Sequence, residues 1–126
     1  MIPKFITTLL KGQQPIIHGD GTQTRDFVFV KNIAEANIQV AKSDVTGVYN
    51  IAHGSTINIK ELLEKICEMM GYDFNPKYEN ARYGDIKNSV ADISKAEKDF
   101  GYVNEHDFDN ELKETIKFYE TEFNWE

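Results

Sequence analysis

One cysteine, three prolines and one tryptophan in 126 residues leave this chain few covalent or rigid staples. A lone Cys67 permits no internal disulfide, so packing must hold the fold, in keeping with a reducing compartment. Cys67 falls on the apolar stripe of an expected helix, which reads as a packing role and not as a nucleophile. No apolar run reaches the roughly 18 residues of a membrane span. The opening MIPKFITTLLKG is too short and too interrupted for a secretory leader, and a cytoplasmic location is expected. His18, His53 and His106 are scattered without metal-binding spacing, so no metal is implied. No Ser/His/Asp or Cys/His order points to acyl chemistry. Internal repeats and low-complexity segments are also absent.

What the chain does have is charge, unevenly spread. The net charge is −7. Residues 1–60 carry 6 basic and 4 acidic side chains, and residues 61–126 carry 8 and 17. The acidic half argues against a nucleic-acid footprint. An anionic ligand must therefore be held by a few placed cations and not by the general field.

Helical and extended patterns alternate along the chain. Ile2, Phe5, Ile6, Leu9 and Leu10 give helical periodicity over 2–11, with Pro3 tolerated in the first turn and Gly12 a candidate cap. Residues 15–18 read as a short strand, followed by a turn at Gly19-Asp20-Gly21. Phe27–Val30 is an apolar run suited to a buried strand, as is Gly47–Ala52. Between them Asn32 is expected to cap a helix through about Ala41. Asn58, with Glu61 three residues on, predicts a near capping box for a helix to Met70 that Gly71 ends. Residues 76–79 read as a strand, and 80–92 as loop with a short strand near Ser89–Ala91. Asp92 or Ser94 caps a short helix to Phe100, and a last helix spans 107–123. Alternating elements predict an α/β unit with some parallel pairing, and the 126 residues fit a single domain. Three or four short strands make a poor core alone, which points to a partner segment.

Two arginines draw chemical interest. Arg25, in Gly19-Asp20-Gly21-Thr22-Gln23-Thr24-Arg25-Asp26-Phe27, stands just before an apolar run, where α/β folds hold ligands. Taken alone it reads first as part of a turn, paired with Asp20 or Asp26. Arg82 and Asp85 flank Gly84 in Ala81-Arg82-Tyr83-Gly84-Asp85-Ile86. Such a loop offers a planar cation to phosphate and a carboxylate to ribose hydroxyls, or else a surface ion pair. His53-Gly54-Ser55-Thr56 precedes a helix, a place where a helix N-terminus can meet an anion. No G-x-G-x-x-G dinucleotide turn occurs.

Together these blocks resemble a known family. IPKFITTLLKGQQPIIHGDGTQTRDFVFVKNIAEA, GVYNIAHGSTINIKELLEKI and RYGDIKNSVADISKAEKDFGY are similar to the C-terminal half of extended short-chain dehydrogenase/reductases, the UDP-glucose 4-epimerase type and its relatives. The resemblance runs from Ile2 to about Tyr119. It implies a Rossmann-type α/β fold in which this chain supplies the substrate-binding part and the last sheet strands, with the N-terminal NAD-binding half lying elsewhere. It also implies that Arg25 and Arg82 contact the diphosphate of a nucleotide sugar and that Asp85 accepts from the ribose hydroxyls. His18 would line the base, and Ile2 and Ile57 would border the nucleotide on opposite walls. The ligand would be a UDP-sugar or another NDP-sugar, and the intact enzyme would use NAD.

The departures carry expectations of their own. The family's glycine-rich NAD turn and its Tyr-x-x-x-Lys pair are not found, so no catalytic or cofactor-binding residue is assigned to this chain. The spacing of Tyr83 and Lys87 imitates that pair but lies in the wrong block. Tyr83 replaces a proline common at its position. The isolated chain is expected to lack turnover, to expose apolar surface, and to meet a separately encoded catalytic half or to self-associate. A non-catalytic binding or assembly remnant is the alternative from another class. The equivalent part of a dTDP-glucose 4,6-dehydratase is the alternative within the family.

Overall fold

A computed structural model describes residues 1–104 and 107–121. In chain order its elements are α1 (Ile2–Leu10), β1 (Ile16–His18), β2 (Thr24–Arg25), α2 (Val30–Ala41), β3 (Ile57–Asn58), α3 (Ile59–Met70), β4 (Lys77–Glu79), α4 (Ser94–Phe100) and α5 (Phe108–Thr121). The residues gather into two compact units. The first contains 1–23, 58–87 and 107–121, and the second contains 24–57 and 88–104.

The first unit is built on helices whose sequence periodicity is plain. Phe5, Ile6 and Leu9 bury one stripe of α1, and Ile59, Leu62, Leu63, Ile66 and Cys67 bury one stripe of α3. Leu112 and Ile116 supply the inward face of α5, and the three helices pack on one another. Apolar side chains at i, i+3 and i+4 leave water together, each contributing roughly 1.5–3 kcal/mol when fully buried. Asn58 caps α3 as expected: its Oδ1 accepts from the Glu61 backbone N–H at 2.8 Å, and its Nδ2 donates to Glu61 Oε2 at 3.3 Å. Gly71 ends the helix in the left-handed conformation. Burial pushes the Cys67 thiol pKa up, as befits a core residue. Beside the helices β1 pairs with β4 in parallel, with Ile16, Ile17 and His18 opposite Lys77, Tyr78 and Glu79.

The second unit has a smaller core. Ala36, Ala96 and Tyr102 are buried, with Tyr49, Ile51, Ile93 and Phe100 packed against them. The Tyr102 hydroxyl donates to the Ala52 carbonyl at 2.8 Å, tying the end of α4 to the 47–52 segment. β2 forms a two-stranded ladder with β3, and Thr24 makes an isolated parallel bridge to Asn88.

Several expectations are corrected here. Phe27–Val30 is not a strand: residues 26–29 carry no ladder, and Val30 opens α2 with 71% exposure. Gly47–Ala52 likewise forms no strand ladder among the described residues, and Val48 is 88% exposed while Ala52 is buried. An apolar run states a wish for burial, but a strand exists only where a second backbone supplies hydrogen bonds. Asn32 does not cap α2. Phe29 holds that position, and Asn32 lies buried two residues inside the helix, its Nδ2 donating to Asn104 Oδ1 at 2.7 Å. The strand foreseen near Ser89–Ala91 reduces to the single bridge at Asn88. Neither Asp92 nor Ser94 holds the cap position of α4, which falls to Ile93 without a side-chain bond; Asp92, one residue earlier, accepts from the Ser94 N–H at 2.9 Å. Phe123 and His106 lie outside the described residues.

Candidate functional site

In the first unit the end of β1, the loop after β4 and the start of α1 enclose a cleft of about 230 Å³. Phe5, Ile16, Ile17 and Ile59 give it apolar surface, and Lys4, His18, Gln23, Arg82 and Asp85 give it polar groups. It continues past His18 and Arg82 into a second hollow of about 340 Å³ that reaches Asp20, Thr22 and Lys87. Apolar walls with a few convergent polar groups are the usual form of a small-molecule site.

Each polar group has a local reason for its position. His18 is the last residue of β1, directly after the fully buried Ile17. Its backbone is gripped twice: Gln23 Nε2 donates to the His18 carbonyl at 2.7 Å, and the next amide, Gly19, donates to the Glu79 carbonyl at 2.8 Å. The following turn is closed by Asp20, whose Oδ1 accepts from the Thr22 N–H at 2.9 Å and from its hydroxyl at 2.7 Å. Those bonds, the hydroxyl first, hold the Asp20 carboxyl below the usual aspartate range.

Arg82 and Asp85 are the first and last residues of a tight turn, in which the Asp85 N–H donates to the Arg82 carbonyl at 3.2 Å. Gly84 takes φ of +78° at the third position, a conformation an L side chain resists. The turn sets both side chains on one side of the cleft and leaves Tyr83 fully exposed at its tip. Arg82 Nη2 donates to His18 Nε2 at 3.0 Å. A guanidinium has no acceptor, so the ring nitrogen accepts, and the neutral His18 ring carries its proton on Nδ1.

The structure therefore brings His18, Arg82 and Asp85 to one cleft. Ile2 is the first residue of α1 but does not line it; Met1, Lys4 and Phe5 do. Arg25 and Ile57 belong to the second unit, in β2 and β3. There Arg25 Nη1 donates to the Thr24 carbonyl at 2.7 Å, while Asp26 accepts from the His53 and Gly54 amides at 2.8 and 3.1 Å. Lys4 and Gln23 were not foreseen. Gln23 sits at 9% exposure in a polar stretch, and its partner, a backbone carbonyl, leaves no trace in a residue pattern. Lys4 follows Pro3 on the edge of an apolar stripe, where a lysine ordinarily means only a solvated face.

A cleft of this kind at the end of a parallel strand pair lies where α/β scaffolds hold ligands of the nucleotide or phosphate class. Comparison with known proteins sharpens that class. The family model described as GDP-mannose 4,6 dehydratase matches residues 1–115. The chain belongs to this family, within the extended short-chain dehydrogenase/reductases that comprise NAD-dependent epimerases and dehydratases. It is 39% identical over 117 residues to a putative UDP-glucose 4-epimerase of Methanocaldococcus jannaschii, covering 93% of this chain and 36% of that protein. A UDP-N-acetylglucosamine 4-epimerase from Methanobrevibacter ruminantium, solved with UDP-N-acetylmuramic acid, is 45% identical with a TM-score of 0.90. That likeness covers 98% of this chain and 40% of the other. A dTDP-glucose 4,6-dehydratase from Streptomyces venezuelae, solved with NAD, is 26% identical with a TM-score of 0.87 over 94% of this chain and 38% of its own. The chain thus spans about two fifths of the length of these relatives.

Proposed function

We propose that this chain is the C-terminal, nucleotide-sugar-binding portion of an NAD-dependent NDP-sugar epimerase, and that its ligand is a UDP-sugar. The observation that carries the reading is the meeting of His18, Arg82 and Asp85 at one cleft, with Arg82 64 residues beyond His18 along the chain. An arginine fork matches phosphate oxygens and stays charged at any relevant pH. Asp85 offers an acceptor for ribose hydroxyls, and the flat His18 ring offers a face to a base. Arg25 is the second diphosphate cation and Ile2 and Ile57 the flanking apolar contacts on the strength of the family resemblance. Relatives of known structure carry UDP-sugars or NAD, which favours the same ligand class and NAD in the intact enzyme. The residues of this chain do not fit NAD: the sequence has no glycine-rich strand–turn–helix, and the N-terminus of α3 is occupied by its own Asn58 cap. No hydride or proton transfer is assigned to them.

The test is calorimetric titration of UDP-glucose into the parent and its Arg82→Ala and Arg82→Lys variants. A charge-assisted bond to phosphate is worth roughly 1.5–3 kcal/mol, so the alanine variant should bind about ten- to a hundredfold more weakly. Lysine should restore only part, because a point charge does not reproduce the fork. Equal binding by parent and alanine variant would remove Arg82 from the site. Tighter binding of dTDP-glucose than of UDP-glucose would favour the dehydratase reading, for which the dehydratase relative speaks. Binding without turnover once a catalytic half and NAD are supplied would favour a non-catalytic module.

A further inference from the structure

We infer that His18 is a proton-sensitive positioning residue that aims Arg82 into the cleft, an inference that rests on the proposed reading of that cleft as a diphosphate site. Three observations converge on it. The hydrogen bond from Arg82 Nη2 to His18 Nε2 is 3.0 Å long and is the side-chain bond Arg82 makes among the described residues. The two partners differ in anchorage. His18 is fixed through β1, the Gln23 side chain and the parallel register with β4, whereas Arg82 sits on an exposed loop. Finally, both side chains line the same two hollows, so the bond lies where a ligand would sit.

Only the neutral ring can serve. Arginine cannot accept, so protonation of Nε2 removes the acceptor and sets a second cation against the guanidinium. The charged groups around the ring decide where each then goes. Lys4 faces it from α1, Arg82 and Asp85 from the turn, and Asp20 and Lys87 from the second hollow. Glu79 is its register partner on β4 and is itself paired with Lys77 at 2.9 Å. An imidazolium turns toward the Glu79 carboxylate beside it, and the Arg82 side chain loses the bond that holds it among the described residues. Loss of the oriented fork outweighs the ring's own attraction for phosphate, because the ring is then drawn to Glu79. The cleft therefore holds a diphosphate best when His18 is neutral.

Two measurements test this, and the first needs no ligand. Nitrogen-15 spectra of the free chain should show His18 with a bare Nε2 at neutral pH. On acidification the Arg82 side-chain resonance should shift with the same midpoint as the ring. An Nε2–H tautomer at neutral pH, or an Arg82 signal indifferent to the His18 titration, would overturn the inference. The second measures UDP-glucose affinity against pH. This ligand is chosen because its doubly esterified diphosphate, unlike that of UDP, keeps its charge across the range. The parent should lose about tenfold in affinity as His18 protonates, the size of one charge-assisted bond partly screened by water. His18→Phe, which keeps a flat ring without an acceptor, should bind about tenfold more weakly at neutral pH and show no such slope. His18→Gln, which restores a non-titrating acceptor, should bind more tightly than the Phe variant and also lack the slope. A Phe variant that kept the slope, or matched the parent at neutral pH, would refute the positioning role. A parent that failed to bind UDP-glucose at all would refute the proposed function instead, and the ligand-free spectra would still decide the His18–Arg82 coupling.

Discussion

Replacing Tyr102 by Phe isolates one hydrogen bond in the smaller core. The ring is 1% exposed, wedged beside Ala36 and Ala96, and its hydroxyl donates to the Ala52 carbonyl at 2.8 Å. Phenylalanine keeps the ring and its packing, so the change is confined to the lost bond and to a carbonyl left without its partner in a residue only 6% exposed. Leaving a buried acceptor unpaired costs about 1–3 kcal/mol. For a chain of this size about 1 kcal/mol moves Tm by roughly 4 °C, so a fall of about 4–12 °C is expected. Thermal melts followed by far-ultraviolet circular dichroism give the shift. Urea titration should show a lower midpoint at an unchanged slope, the signature of lost stability without a change in the surface exposed. Tyr102→Ala should fall further, by about 3–5 kcal/mol, because it also opens a cavity. A Phe variant melting within about 1 °C of the parent would mean that the bond contributes nothing net, and that the ring alone joins 47–52 to the end of α4.

Three other perturbations probe local rules. Gly54 has φ of +81°, and a Cβ there would lie 2.7 Å from Ile93 Cδ1, so Gly54→Ala should destabilise by about 1–3 kcal/mol in a melt. Adding Ile93→Val, which removes that methyl, should recover part of the loss, and strict additivity would refute the clash. Asn58→Ala should cost about 1 kcal/mol in urea denaturation while Asn58→Asp stays near the parent, since only the alanine lacks an acceptor for the Glu61 amide. Asp20 has its folded pKa lowered by Thr22, so its stabilisation is present above the ordinary aspartate value of about 3.9 and is lost as pH falls through the lowered one. Thr22→Val should raise the Asp20 pKa seen by carbon-13 titration, and no movement would show that the hydroxyl is not its cause.

The helices of the first unit were legible because helical burial is written in a short period. Ile59, Leu62, Leu63 and Ile66 mark one face without any knowledge of what covers it, and Asn58 with Glu61 marks where the helix begins. The capping signal failed at Asn32 for a physical reason. The helix begins two residues earlier, at Val30, so Asn32 lies inside it, and its Nδ2 donates instead to Asn104 Oδ1, 72 residues away. Phe27–Val30 and Gly47–Ala52 failed differently. Their apolarity is real, yet strand formation depends on a second backbone at a fixed spacing, and four apolar residues say nothing about where that backbone is. Val48 and Val30 remain 88% and 71% exposed among the described residues, so these runs expose apolar surface in place of forming a ladder.

The site was legible as residue types and illegible as geometry. Arginine, aspartate and glycine in Arg82–Asp85 announce a turn that can present a cation and a carboxylate together, and the Asp85-to-Arg82 backbone bond is that turn. Nothing in the order of residues sets Arg82 against His18, because their approach depends on the parallel register of β1 with β4, which fixes how far the chain has travelled when it leaves Glu79. Once Ile17 is buried opposite Tyr78, the alternation of a strand turns His18 to the other face, and the few residues after Glu79 can return Arg82 to it. A slip of one residue in that pairing would send the His18 side chain into the core and leave Arg82 without its acceptor. The buried Ile17 thus selects the register, and the register in turn selects which nitrogen of His18 carries the proton.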